Sequence, residues 1–237
     1  MLRFFRNASS LPPRLPYLSG VLKLLSASSS EADGSYFSIV AVSYRGFWTS
    51  KGRPSERGIK LDAQAALQWV LGKYHLSKTK VVIWGQSIGA GVATTALANL
   101  METETDSRKL TAISGLILET PFVNLRSMLV ALYPQKFLPY RYLYPFLRST
   151  WDSQGALQRI AADNQIRQPK VLILQAGRDE IVPVGQAEIL KSVCVEGGLN
   201  PELIVIRCAL HAEIMAKHEG RKMVAQFLKH VYESERT

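Results

Sequence analysis

From Tyr36 onward, short runs that are apolar at nearly every position alternate with longer stretches that are apolar at every third or fourth position. Tyr36 to Tyr44, Lys80 to Trp84, Leu116 to Leu118, Val171 to Gln175 and Leu203 to Ile206 have strand character. Ile59 to Leu71, Ile88 to Met101, Val184 to Val195 and the chain from Ala212 to its C-terminus have helix character. A strand that is apolar on both faces must be covered on both faces. Such strands alternating with helices predict a mostly parallel sheet between two layers of helix. The expected class is α/β.

Met128 to Trp151 departs from this rhythm, with Tyr133, Phe137, Tyr140, Tyr142, Tyr144, Phe146 and Trp151 set among prolines. Two compatible readings follow: a helical excursion packed on the core, or a cap over a site that accepts an apolar substrate. A membrane span does not fit, because Leu125 to Leu147 is broken by Arg126, Lys136 and Arg141 and by Pro134, Pro139 and Pro145. Met1 to Ser30 holds Arg3, Arg6, Arg14 and Lys23 and no acid. That composition is compatible with mitochondrial targeting, although Pro12, Pro13 and Pro16 count as breakers of the amphipathic helix it requires.

Composition adds limits. At 237 residues with 47% hydrophobic and 20% charged residues, the chain can bury a core and is neither disordered nor fibrous. Cys194 and Cys208 are its only cysteines, which excludes a disulfide scaffold and a cysteine-rich zinc site and makes a reducing compartment the default. The formal charge of +10 favours anionic partners. The densest basic group is Arg45, Lys51, Arg53, Arg57 and Lys60, and no nucleic-acid signature accompanies it. Nucleic acid is therefore not expected, while peripheral contact with an anionic membrane fits the charge. A cytoplasmic or membrane-peripheral location is the expectation.

The chemistry centres on Gly85-Gln86-Ser87-Ile88-Gly89, which joins an apolar strand to an alanine-rich helix. A sharp strand-to-helix turn exposes its serine above the strand end and needs small neighbours to avoid clashes. It also aims the Ile88 amide at an oxyanion developing on a substrate. A serine nucleophile needs a base, and the base needs an orienting carboxylate, in the chain order serine, acid, histidine. His211 follows the last strand on a short link, whereas His218 and His230 fall in the C-terminal helical pattern and His75 precedes the turn. Asp179 lies just past the Val171 to Gln175 strand, with Glu180 beside it and expected to face elsewhere. Glu119, at the preceding strand end, is a second location for the acid. Asp152 and Asp163 have the character of helix ends.

These positions, with Tyr44-Arg45-Gly46, Pro54-Ser55-Glu56-Arg57-Gly58, Gly91-Val92-Ala93-Thr94, Leu118-Glu119-Thr120-Pro121-Phe122, Gly177 to Pro183 and Ala209-Leu210-His211, resemble the α/β-hydrolase superfamily. The nearest branch holds fungal bud-emergence-type homologues and animal monoacylglycerol and lysophospholipid lipases. The resemblance implies one domain over residues 1–237 with a cap at about 122–165. It implies Ser87, Asp179 and His211 as the triad of a serine esterase or lipase that needs no metal or organic cofactor. It also implies an oxyanion loop of the form His-Gly-Asn-Ala-Gly, of which only Asn7 and Ala8 survive in Phe5-Arg6-Asn7-Ala8-Ser9. The two strands the family places further upstream are expected to be missing, which would put the Tyr36 to Tyr44 strand at an exposed apolar edge, with Met1 to Arg6 adding at most a stub of strand. The competing expectation is a truncated, catalytically impaired member that serves as an interaction module.

Overall fold

The computed structural model describes residues 1–4, 11–28, 36–132, 149–163 and 167–234, with the side chains of 131 and 132 not included. In chain order the elements are β1 (Leu2–Phe4), α1 (Leu15–Ser28), β2 (Val40–Val42), α2 (Glu56–Lys73), β3 (Val81–Gln86), α3 (Ile88–Thr103) and α4 (Ser107–Ala112). They continue with β4 (Ile113–Glu119), α5 (Leu125–Leu132), α6 (Ser153–Ala162), β5 (Lys170–Ala176), α7 (Gln186–Glu196), β6 (Pro201–Ile206) and α8 (His218–Glu233). The strands form one six-stranded sheet in the order β2-β1-β3-β4-β5-β6. Every pairing is parallel, as the apolar runs predict.

Alternation along the strands separates two cores. Val81, Ile83, Leu116, Leu118, Val171 and Ile173 pack with α2, α3, α6 and α7 on one face. Val82, Trp84, Ile117, Leu172, Leu174 and Ile206 pack with α1 and α8 on the other. Helix α2 shows how local sequence serves this plan. The Ser55 hydroxyl accepts the Gly58 N–H at 3.1 Å, Glu56 and Lys73 complement the ends of the helix dipole, and Ile59, Ala63, Leu67, Val70 and Leu71 are buried.

Several boundaries differ from the sequence reading. Only Val40–Val42 of the Tyr36 to Tyr44 run is strand, because its partner β1 offers just Leu2–Phe4 to pair with. The edge position expected for it holds, with half-buried side chains. Helix α7 starts at Gln186 instead of Val184, since Gly185 has a left-handed φ of 94° that no α-helical turn accepts. Helix α8 starts at His218 instead of Ala212, after turns that carry His211. Helix α1 has no counterpart in the sequence reading. Pro12 and Pro13 form a single 3-10 turn, and Pro16 is the second residue of α1, where no intrahelical bond needs its missing N–H. Leu18, Val21 and Leu25 of α1 then pack in the same core as Val224, Leu228 and Val231 of α8. Part of the Met1 to Ser30 segment, whose composition fits targeting, is thus built into the fold as β1 and α1.

The two cysteines differ sharply in environment. Cys194 is buried in α7, and burial pushes its thiol up to about 12, whereas Cys208 is exposed after β6. Under native conditions an aromatic disulfide reagent is expected to titrate one thiol per chain, and two after denaturation. Rapid reaction of both in the folded protein would contradict this packing.

Candidate active site

Because all strands run the same way, the loops that follow them open at one edge of the sheet. Ser87 sits there between β3 and α3 with φ 55° and ψ −119°, a conformation that non-glycine residues rarely adopt. Its amide donates to the Glu119 carbonyl at 2.8 Å, which ties the turn to the end of β4. The turn tolerates no side chain at Gly85, where a Cβ would lie 2.0 Å from the Gly89 carbonyl oxygen and 2.6 Å from the Ala90 Cα. Ile88 is the first residue of α3, so its amide is among those a helix leaves without an internal partner.

His211 reaches the same point from the turns after β6. Its Nε2 is 2.9 Å from the Ser87 Oγ, and its Nδ1 is 2.9 and 3.0 Å from the two carboxylate oxygens of Asp179. A carboxylate can only accept, so Nδ1 carries the proton and Nε2 is left to accept from the serine hydroxyl. Asp179 is itself held by the loop after β5, where Oδ1 accepts the N–H groups of Ile181 at 2.9 Å and Val182 at 2.7 Å. His211 is 1% exposed and Ser87 6%, so the contact is shielded from bulk water.

Glu180 does not face elsewhere as expected. Its carboxylate accepts the His211 backbone N–H at 2.9 Å, so two consecutive acids hold one histidine, one by the ring and one by the main chain. Glu119, the second location considered for the acid, has other partners. Its carboxylate accepts from Arg3 Nη2 at 2.7 Å, Trp84 Nε1 at 3.1 Å and Gln86 Nε2 at 2.9 Å. Arg14 Nη1 donates to Gln86 Oε1 at 2.6 Å, and the Arg3 guanidinium lies 3.5 Å from the Trp84 ring centroid. Burial draws the Arg3 guanidinium down to about 10 against the opposing pull of Glu119, and it remains charged at neutral pH. No pattern in the sequence marks this network, since its members come from β1, β3 and β4 and the segment before α1. Among the histidines set aside, His218 begins α8, and His230 pairs with Lys170 at 2.7 Å on the surface.

Asn7 and Ala8 lie outside the described residues, as do the aromatic residues from Tyr133 to Phe146. The two flanks of that excursion are joined: Leu125 N–H donates to the Thr150 carbonyl and Ser153 N–H to that of Val123, both at 2.9 Å. Asp152 and Asp163 cap the two ends of α6. A cavity of about 330 Å³ opens at the site edge beside Thr120, Asp179 and Val182. Another, of about 410 Å³, lies at the opposite edge beside Val40 and Val81, remote from Ser87.

No protein-family model matches the chain. Protein Bem46 of Schizosaccharomyces pombe is 31% identical over 194 residues, which is 82% of this chain and 56% of that protein. Lysophosphatidylserine lipase ABHD12 of Danio rerio is 38% identical over 151 residues, covering 62% of this chain and 37% of the lipase. The chain thus spans about half, or less, of the length of these curated relatives. Among solved structures, an α/β hydrolase of Vibrio vulnificus superposes with a TM-score of 0.69 at 17% identity, covering 97% of this chain and 71% of that one. The Pyrococcus furiosus esterase Pf2001 superposes with a TM-score of 0.66 at 19% identity, covering 98% and 81%. The chain has the α/β-hydrolase fold, and its sequence resembles the bud-emergence-type protein Bem46 and the ABHD12 lipases.

Proposed function

We propose that the protein is a serine hydrolase of carboxylic esters, with acylglycerols or lysophospholipids as its substrate class. The observation that carries the reading is the continuous contact from Ser87 Oγ through the His211 ring to Asp179. Ser87 Oγ attacks the acyl carbonyl while His211 Nε2 takes its proton, and the Ile88 amide donates to the oxyanion. His211 then passes that proton to the leaving alkoxide as the ester C–O bond breaks, which leaves an acyl-serine. Water, deprotonated by His211, attacks the acyl-serine carbonyl, and the proton returns to Ser87 Oγ as the acid leaves. Asp179 keeps the imidazole in the required tautomer and stabilises it when it is protonated.

The lipid substrate class draws on the name of the ABHD12 relatives and on the aromatic residues of the 122–165 segment, which we assign as a cap over the site. A second oxyanion donor is assigned to the Asn7-Ala8 loop. The test is labelling by a fluorophosphonate probe, which reacts only with an activated serine. Labelling of the folded wild-type protein and none of Ser87→Ala is expected; equal labelling of both, or of neither, would sink the proposal. Labelling without ester turnover would place a defect in the oxyanion loop instead.

A further inference from the structure

The loop between β2 and α2 leaves the sheet at the same edge as Ser87, because β2 is parallel to β1 and β1 to β3. Near its tip Trp48 has a φ of 49°. A bulky residue is seldom held in that left-handed region, and burial does not compensate for it, since 56% of Trp48 is exposed. Strained conformations persist where the surrounding structure enforces them, and they concentrate at sites of function.

The cations around Trp48 fall into two sets. Arg45 is engaged by Asp62 and Lys60 by Glu56. Lys51, Arg53 and Arg57 are exposed, and none has an ion-pair partner among the described residues. The same edge exposes Val184 with Arg178 in the loop after β5, and Leu210 with Arg207 in the loop after β6. Apolar tips among unpaired cations satisfy both demands of an anionic bilayer surface. An indole ring is stable at headgroup depth, and each cation near the surface is attracted by acidic lipid.

We propose that this edge docks on an anionic lipid bilayer, with Trp48 seated among the headgroups and Lys51, Arg53 and Arg57 over their charges. No helix among the described residues is long and apolar enough to cross a membrane, and the contact is with the bilayer surface. Docking in this orientation turns the sheet edge that carries Ser87 toward the lipid. In that respect the inference rests on the ester-hydrolase reading. Docking itself is measured on Ser87→Ala protein, so a failure of catalysis and a failure of docking remain distinct results.

The experiment is cosedimentation with vesicles of phosphatidylcholine, with and without phosphatidylserine. Strong preference for the phosphatidylserine vesicles is expected. The triple variant Lys51→Gln, Arg53→Gln, Arg57→Gln is expected to lower that partitioning about a hundredfold. Trp48→Gly supplies the decisive readout, because glycine accepts this φ without strain. Its melting temperature is expected to hold or rise while partitioning falls about tenfold, whereas removing a tryptophan that merely packs would lower the melting temperature. Brominated lipid is expected to quench the protein's fluorescence, and Trp48→Phe to abolish that quenching. Equal binding to both vesicle types, unchanged binding in these variants, or equally tight binding to duplex DNA would overturn the proposal.

Discussion

Ser87→Ala is expected to reduce the kcat for ester hydrolysis by about a millionfold, and His211→Ala by nearly as much. Combining the two is expected to cost no more than either alone. Such non-additivity is the signature of a single proton-transfer unit, because a serine without its base and a base without its serine are equally inert. Asp179→Asn is expected to cost about ten-thousandfold, since an amide at that position can offer its N–H to Nδ1 and stabilise the wrong tautomer. The loss is also structural at close range. The amides of Ile181 and Val182 bond to Oδ1, so asparagine must either keep its oxygen there or break the turn that holds it. Hydrolysis of a soluble aryl ester by the four variants and the wild type measures all of this. Multiplicative losses in the double variant, or full activity in Asp179→Asn, would refute the unit.

The second large effect is on stability. Glu119→Ala is expected to destabilise the fold by about 3–5 kcal/mol, because it removes the carboxylate that pairs with the buried Arg3 guanidinium. Arg3 and Glu119 are 1% and 0% exposed, so water cannot take over the role of the lost partner. The Trp84 indole N–H and one Gln86 amide proton lose their acceptor in the same step. Removing both charges in Arg3→Met with Glu119→Leu is expected to recover most of the loss, since apolar replacements of similar volume can match a buried ion pair. Denaturant unfolding of the two variants beside the wild type decides it. A single variant as stable as the wild type would show that the pair is dispensable.

How far the amino-acid pattern reaches into this structure depends on the range of the forces involved. Strand β5 and helix α3 were legible because burial on both faces and a helical repeat are written into consecutive residues. The elbow at Ser87 was legible for the same reason, since glycine spacing, strand and helix adjoin one another. Placing His211 and Asp179 needed only a rule about strand ends, and the structure brings both to Ser87. Helix α1 is hidden in the sequence because its prolines read as breakers, although a first-turn proline costs a helix nothing. Strand β2 is shorter than its apolar run because a strand extends only as far as its partner, and three residues of β1 limit it. The Arg3–Glu119 pair joins residues separated by 116 positions. Nothing local to Arg3 says that its charge will be buried.

Ser87 and the His211 ring that contacts it lie 124 positions apart in the chain. At translation rates of about 5–20 residues per second, the serine leaves the ribosome several seconds or more before His211 is synthesised. Even then the histidine cannot reach it until β6 has paired at the far edge of the sheet, a non-local closure of the kind that folds slowly. On the ester-hydrolase reading proposed above, a nascent or half-folded chain therefore carries an ordinary alcohol. On that reading, activation of the serine and the complete topology arrive together.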